Sequence, residues 1–184
     1  MTGKRGKSPI ADFDTARLRV RDWQADLADP AARRVLVTEL AAILTPPVLA
    51  HLPPPLHLEN APGAVSAWVC ARADEAAVHT VRARSDAALL GLLILSPQAA
   101  TGGTPPALHL GYLFGESAWG RGYATELVRG LVTAVRDGPP VDLVGGVDSA
   151  NPASARVLEK CGFVASPTEK GAATTLYTWK TPRC

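Results

Sequence analysis

Trp119-Gly120-Arg121-Gly122-Tyr123-Ala124-Thr125-Glu126 stands between a strand-like run, Ala107 to Phe114, and an amphipathic helical run. Ala124, Leu127, Val128, Leu131 and Val135 share one face of that helix, while Arg129, Thr133 and Arg136 fall elsewhere. A strand passing through glycines into a helix start gathers unpaired backbone N–H groups at the positive end of the helix dipole. Phosphate or pyrophosphate is favoured there. Glycines at 120 and 122 remove the Cβ atoms that would hold an anion off the backbone. Two common phosphate sites are excluded by the spacing. No Lys-Ser/Thr pair follows the glycines, as a nucleoside-triphosphate loop needs. Thr125 stands where the third glycine of a dinucleotide fingerprint belongs, and no repeated strand–helix units surround it. A phosphate-bearing ligand of another kind is expected, with an ordinary strand-to-helix turn as the plain alternative.

Composition sets the class. The chain has 184 residues, enough for one domain with a sizeable core. An apolar fraction of 47% with mean hydropathy +0.07 indicates a globular protein, and the longest apolar run, Ala87 to Leu95, is about half a membrane span. A net charge of +2 is too mild to imply nucleic acid. Met1 to Pro9 carries Lys4, Arg5 and Lys7 with no hydrophobic stretch behind them. That reads as a disordered basic tail over 1–12 rather than a secretory leader, leaving 13–184 as a single domain. Cys70, Cys161 and Cys184 are scattered and odd in number, which fits a reducing cytoplasm. No Cys-x-x-Cys or clustered His pattern points to a metal.

Along the chain, Arg17 to Trp23 reads as a strand. Asp29-Pro30 then starts a helix with Val35, Leu36, Leu40 and Ile43 inward. Pro46-Pro47 and Pro53-Pro54-Pro55 bound a loop-rich stretch that cannot form a regular helix. Gly63 to Ala73 is a second helix, and Val78 to Arg84 with Ala88 to Leu95 forms a hairpin turning near Ser85-Asp86. A loop from Pro97 to Pro106 precedes the strand at 107–114. The helix after Gly122 stops at Gly138-Pro139-Pro140. Val141 to Asp148 is a strand, Pro152 opens a helix ending at Cys161-Gly162, and Phe163 to Ser166 with Thr174 to Lys180 closes the sheet. This order is α+β, mostly antiparallel before a strand–helix–strand–helix section.

The glycine stretch resembles the coenzyme A pyrophosphate loop of GNAT acetyltransferases, Arg/Gln-x-x-Gly-x-Gly/Ala. Gly122 and Ala124 fit its last two fixed positions, and Trp119 replaces Arg/Gln. Trp-Gly-Arg-Gly-Tyr-Ala-Thr-Glu is similar to the wording of the RimJ/RimL branch, which modifies protein N-termini and small amines. Asn151-Pro152-Ala153-Ser154, continuing to Gly162-Phe163, resembles that branch's second signature, and Thr15-Ala16-Arg17-Leu18-Arg19 its opening strand. These stretches anchor 15–23 and 107–164; positions 24–100 follow only by the order of elements.

The resemblance implies the GNAT fold, a mixed, mostly antiparallel sheet flanked by helices, whose two central strands splay where one carries a bulge. Gly111 and Gly115 are compatible with that bulge. It implies acetyl-CoA as co-substrate and direct attack by a primary amine, either a protein N-terminus or a small molecule. It also implies no nucleic acid or membrane partner, and a monomer or homodimer. Backbone N–H groups of Gly120, Arg121, Gly122, Tyr123, Ala124 and Thr125 would take the pyrophosphate, with the Thr125 hydroxyl and Arg121 charge adding to them. Leu113 and Phe114 would hold the pantetheine arm, and an N–H near Leu113 would stabilise the oxyanion.

Asn151 before Pro152 is a sufficient N-cap; in the family it also bonds the cofactor arm. Ser154 would protonate the departing thiolate, although Ser at a third helical position is also ordinary. His109 stands where the family's phrase has Glu, so it is the expected base, with a structural histidine as the alternative. Glu116 and Asp148 are reserve bases. Tyr112 and Tyr123 read as packing residues, with a Tyr hydroxyl able to replace Ser154. A non-catalytic acyl-CoA-binding module is the competing reading, and a nucleotide-binding protein the third.

Overall fold

Alternating apolar positions in the strands, rather than any single segment, build this molecule. The computed structural model describes residues 8–50, 52–98, 106–136, 138–167 and 172–182. Its strands are Phe13–Asp14 (β1), Leu18–Asp22 (β2), Ala77–Ala83 (β3), Leu89–Gln98 (β4), Ala107–Phe114 (β5), Asp142–Asp148 (β6), Val164–Ala165 (β7) and Thr174–Trp179 (β8). They form one sheet in the order β1-β2-β3-β4-β5-β6-β8-β7. The β5–β6 pair is parallel, and its neighbours pair antiparallel. The helices are Gln24–Ala28 (α1), Pro30–Ile43 (α2), Pro46–Leu49 (α3), Ala64–Glu75 (α4), Tyr123–Arg136 (α5) and Pro152–Lys160 (α6).

Successive strand residues face opposite sides, and β4 is buried on both. Leu93 and Leu95 join one core with Leu127, Val128 and Leu131 of α5 and Leu158 of α6. Leu92 and Ile94 join the other, with Leu36 and Leu40 of α2 and Trp68 and Val69 of α4. That explains why this strand reads as an unbroken apolar run.

Local signals start the helices as expected. Asp29 accepts a hydrogen bond from Ala31 N with Pro30 at the first position of α2, and Asn151 accepts one from Ser154 N with Pro152 opening α6. α1 was not expected; Asp22 Oδ1 accepts from Gln24 N at 2.9 Å and starts it. Val35 departs from the reading. It is 58% exposed while Leu36 and Leu40 are buried, because it lies about 100° round the helix from Leu36. The proline stretch, expected to form no regular helix, holds among its described residues the one-turn α3 and a 3₁₀ turn, Pro54–Leu56, tied down where Trp68 Nε1 donates to Leu56 O at 2.9 Å.

Residues 1–7 of the expected tail lie outside the described residues, as does most of the expected loop, 99–105. Residues 8–12 dock on the sheet: Ser8 Oγ bonds His79 Nε2 at 3.0 Å, Ile10 packs on the core, and Asp12 Oδ1 accepts from Asp22 N.

The splayed centre is present but arises differently from the expected bulge. β5 pairs with β4 in unbroken register from Gly91↔Phe114 to Gln98↔Ala107. The register shift in the sheet lies instead between β3 and β4, at Val81/Arg82. β5 and β6 pair only through Ala107, His109 and Leu108 against Asp142, Val144 and Leu143, then part. A Cβ on Gly91 would lie 2.1 Å from the carbonyl oxygen of Leu113, so only glycine fits where β4 backs the parted half of β5. Gly91→Ala is therefore expected to destabilise the protein by about 1–3 kcal/mol, as overpacking does. Thermal denaturation checks this; an unchanged Tm would show that β5 yields there at no cost.

Candidate active site

β5 ends at Phe114. The chain then makes a 3₁₀ turn, Glu116–Ala118, and passes Trp119 to enter α5. Gly120 and Gly122 have φ of 69° and 78°, the left-handed region that side chains avoid. Trp119 Nε1 donates to Phe114 O at 2.7 Å, pinning the turn to the strand end. The first-turn amides of α5 lack carbonyl partners within the helix by construction.

A cavity of 400 Å³ runs along this turn. Of the residues expected to hold the cofactor, Leu113, Phe114, Gly120, Gly122, Tyr123, Ala124, Thr125 and Asn151 all line it. Arg121 does not line it; its guanidinium lies over the Tyr123 ring at 5.2 Å and its carbonyl accepts from Arg17 Nη1 at 3.0 Å. Tyr123 also stacks with Phe114 at 6.4 Å, a packing role.

Glu126 ties the turn to the amino-terminal strands. Its Oε1 accepts from Thr15 Oγ1 at 2.6 Å and Arg17 N at 2.7 Å, and its Oε2 from Arg17 Nε at 2.6 Å. Burial alone would raise this carboxyl's pKa, but the bonds from Thr15 and Arg17 prevail and hold it below its ordinary value.

A second cavity, of 270 Å³, lies on the other side. Its wall includes His109, Ser96, Asp148, Arg72 and Glu75, with Leu52 and Pro53 from the proline-rich stretch. The two cavities share Leu52, Tyr112, Asn151 and Ser154. At that junction Tyr112 Oη and Ser154 Oγ are hydrogen-bonded at 2.8 Å. Burial lifts the Tyr112 phenol to about 12, against a smaller lowering by Ser154; near neutral pH it keeps its proton. Asn151 both caps α6, through Oδ1 and Ser154 N at 3.1 Å, and lines both cavities.

His109 and Tyr112 sit on opposite faces of β5 by strand alternation, yet both line the second cavity: His109 is the last residue paired with β6, and Tyr112 lies beyond the point where β6 parts. His109 Nδ1 meets Gln98 Nε2 at 3.1 Å, and burial lowers its pKa, keeping the imidazole neutral near pH 7. Of the reserve bases, Asp148 lines the cavity, with Oδ1 also accepting from Ala150 N. Glu116 lines neither cavity; its Oε1 accepts from Thr45 Oγ1 at 2.5 Å.

Strand alternation also decides which amides near Leu113 face the gap. Gly115 N donates to Leu90 O on the β4 side, and Asp142 N donates to Pro106 O on the β6 side. With the β4–β5 register unbroken, Leu113 turns its amide toward β4, while Tyr112 and Phe114 turn theirs toward the gap. Leu113 itself lines the first cavity. Arg72, Glu75 and Gln98 were not foreseen. Arg72 is 6% exposed and its Nη2 pairs with Glu75 at 2.7 Å, a buried charge that periodicity alone does not mark.

Comparison with known proteins agrees with this geometry. The sequence model described as an acetyltransferase (GNAT) domain matches residues 17–164. No curated protein matches by sequence. The acetyltransferase from Agrobacterium tumefaciens is 19% identical with TM-score 0.61, over 98% of this chain and 100% of that one. RimL, a ribosomal-protein alpha-N-acetyltransferase solved with coenzyme A, is 15% identical with TM-score 0.66, over 93% and 98%. The microcin C7 self-immunity acetyltransferase MccE, solved with acetyl-CoA and AMP, is 14% identical with TM-score 0.59, over 90% and 93%. At these identities the likeness is one of fold.

A branched side chain at Gly122 would be strained at φ 78°, and its Cβ would stand 3.6 Å from Arg17 Nη2, so the turn could not keep its conformation. Gly122→Val is expected to weaken acetyl-CoA binding at least tenfold, about 1.4 kcal/mol. Calorimetry checks this, and unchanged affinity would move the phosphate site away from the turn.

Proposed function

Because the chain belongs to the acetyltransferase (GNAT) domain family, whose acetyl donor is acetyl-CoA, we propose that it acetylates a primary amine by direct attack on the thioester. The observation that carries this reading is the meeting of two cavities at Ser154 and Tyr112. One cavity follows the glycine turn and suits the donor. The other holds a neutral imidazole and suits an acceptor.

In this reading the pyrophosphate lies on the amides at the start of α5, and the pantetheine arm runs between β5 and β6. The amine nitrogen enters from the second cavity and forms a bond to the thioester carbon. Charge developing on the carbonyl oxygen is met by a gap-facing amide of Tyr112 or Phe114. His109 takes the amine's proton, directly or through a water. When the carbon–sulfur bond breaks, Ser154 gives its proton to the thiolate and takes one from Tyr112, hydrogen-bonded behind it; solvent reprotonates Tyr112 as His109 releases the amine's proton.

The acceptor is a protein N-terminus or a small amine, as in the RimJ/RimL branch that the two signatures resemble. The protein works in the cytoplasm, as a monomer or homodimer. Asp148 beside the second cavity, where Glu75 is already paired with Arg72, favours approach of a cationic ammonium form.

A screen of amines for acetyl-CoA-dependent thiol release tests the reading. Coenzyme binding with no turnover on any amine would make the protein a binding module instead. Ser154→Ala is expected to lower kcat roughly 10²-fold with acetyl-CoA affinity nearly intact; a loss confined to KM would reassign Ser154 to binding.

His109 has its own signature. Burial lowers its pKa from the ordinary 6.5, so the active neutral form persists to more acid pH. Rate should fall only below that ordinary value, as the imidazole protonates. His109→Ala should remove this limb and slow turnover, and His109→Glu should recover part of the rate. A pH–rate profile of the Ala variant with the parent's shape would leave His109 a structural residue.

A further inference from the structure

We propose that Arg17 and Glu126 are positioning residues for the donor, a clamp that aims the amide of Gly122 into the cofactor cavity. The proposal rests on the acetyl-CoA reading above and concerns how the site is shaped.

A turn built on two glycines has many conformations to lose, so something must hold it in the one that binds an anion. The tie comes from more than 100 residues away. Glu126 fixes Thr15 and Arg17 through three bonds of 2.6–2.7 Å. Arg17 then lies over the Tyr123 ring at 4.5 Å and donates from Nη1 to the carbonyl of Arg121 at 3.0 Å. That carbonyl belongs to the peptide joining Arg121 to Gly122. In a trans peptide the C=O and N–H point in opposite directions, so holding the oxygen toward Arg17 aims the Gly122 N–H the other way.

Gly122 lines both the 400 Å³ cofactor cavity and the outer groove in which Arg17 and Glu126 sit. The carbonyl is held on the groove side, leaving the cavity side for the amide. The guanidinium thus does two things at once: it takes the carboxylate of Glu126 through Nε and the loop carbonyl through Nη1. Lysine, a single point donor on a flexible stem, cannot hold both in that geometry.

The test compares two donors, acetyl-CoA and S-acetyl-pantetheine, which lacks the pyrophosphate. Arg17→Met keeps an unbranched apolar side chain while removing the guanidinium that lies over Tyr123, and Glu126→Gln keeps the side-chain shape, so each removes the clamp with limited loss of packing. In both variants the ratio of kcat/KM for acetyl-CoA to that for acetyl-pantetheine should fall tenfold or more, through KM for acetyl-CoA, and Arg17→Lys should not restore it. A general loss of structure would lower both donors together and leave the ratio unchanged; that result overturns the proposal. Restoration by Arg17→Lys also overturns it, by showing that charge alone suffices. Parent protein that binds no acetyl-CoA by calorimetry strikes the donor reading itself, whereas parent binding matched by the variants strikes only the clamp.

Discussion

Backbone hydrogen bonding between β5 and β6, and its interruption, is the constraint from which the site follows. The two strands share a ladder only across Ala107–His109 and Asp142–Val144. Beyond it, β6 is satisfied by β8 on its other edge, and β5 by β4, so the gap can open without loss of the sheet. The gap-facing amides and carbonyls of β5 are then a template with no strand to pair with. A buried edge of this kind is costly unless another chain of amides completes it. Pantetheine, which carries two amides on a narrow arm, has the chemistry to do so.

The gap also reconciles two kinds of residue that a closed sheet would keep apart. His109 projects from one face of β5 and Tyr112 from the other, yet both line the second cavity. Their electrostatic states differ in a useful way. Burial keeps His109 unprotonated and Tyr112 protonated near neutral pH, so one can accept a proton and the other can donate. In the proposed acetylation one proton leaves the amine and another reaches the departing thiolate.

Much of this was legible in the sequence where chemistry is local. Asp29-Pro30 and Asn151-Pro152 marked helix starts through caps that need only their own neighbours. Gly120 and Gly122 marked the turn by their missing Cβ atoms, and both take the positive φ that few other residues tolerate. What stayed hidden depends on distant partners. The parting of β5 from β6 was expected through the family resemblance and not through either strand's own residues, and the bulge expected beside it does not interrupt the β4–β5 register. The Tyr112–Ser154 bond spans 42 residues, so Tyr112 read as packing. Val35 looked inward because a helix face is about 100° wide and its edge is set by what packs on it. Arg72 carried no signal at all, since nothing in a helical arginine's own spacing marks it as buried.

The central claim is that one extended donor lies on the α5 turn at one end and at the Ser154–Tyr112 junction at the other. A crystal structure of the protein with acetyl-CoA measures this directly. The account predicts pyrophosphate oxygens within hydrogen-bond distance of backbone amides between Gly120 and Thr125, and the thioester sulfur within reach of Ser154 Oγ. Coenzyme bound with its phosphates away from that turn, or its thioester outside the gap between β5 and β6, would contradict it.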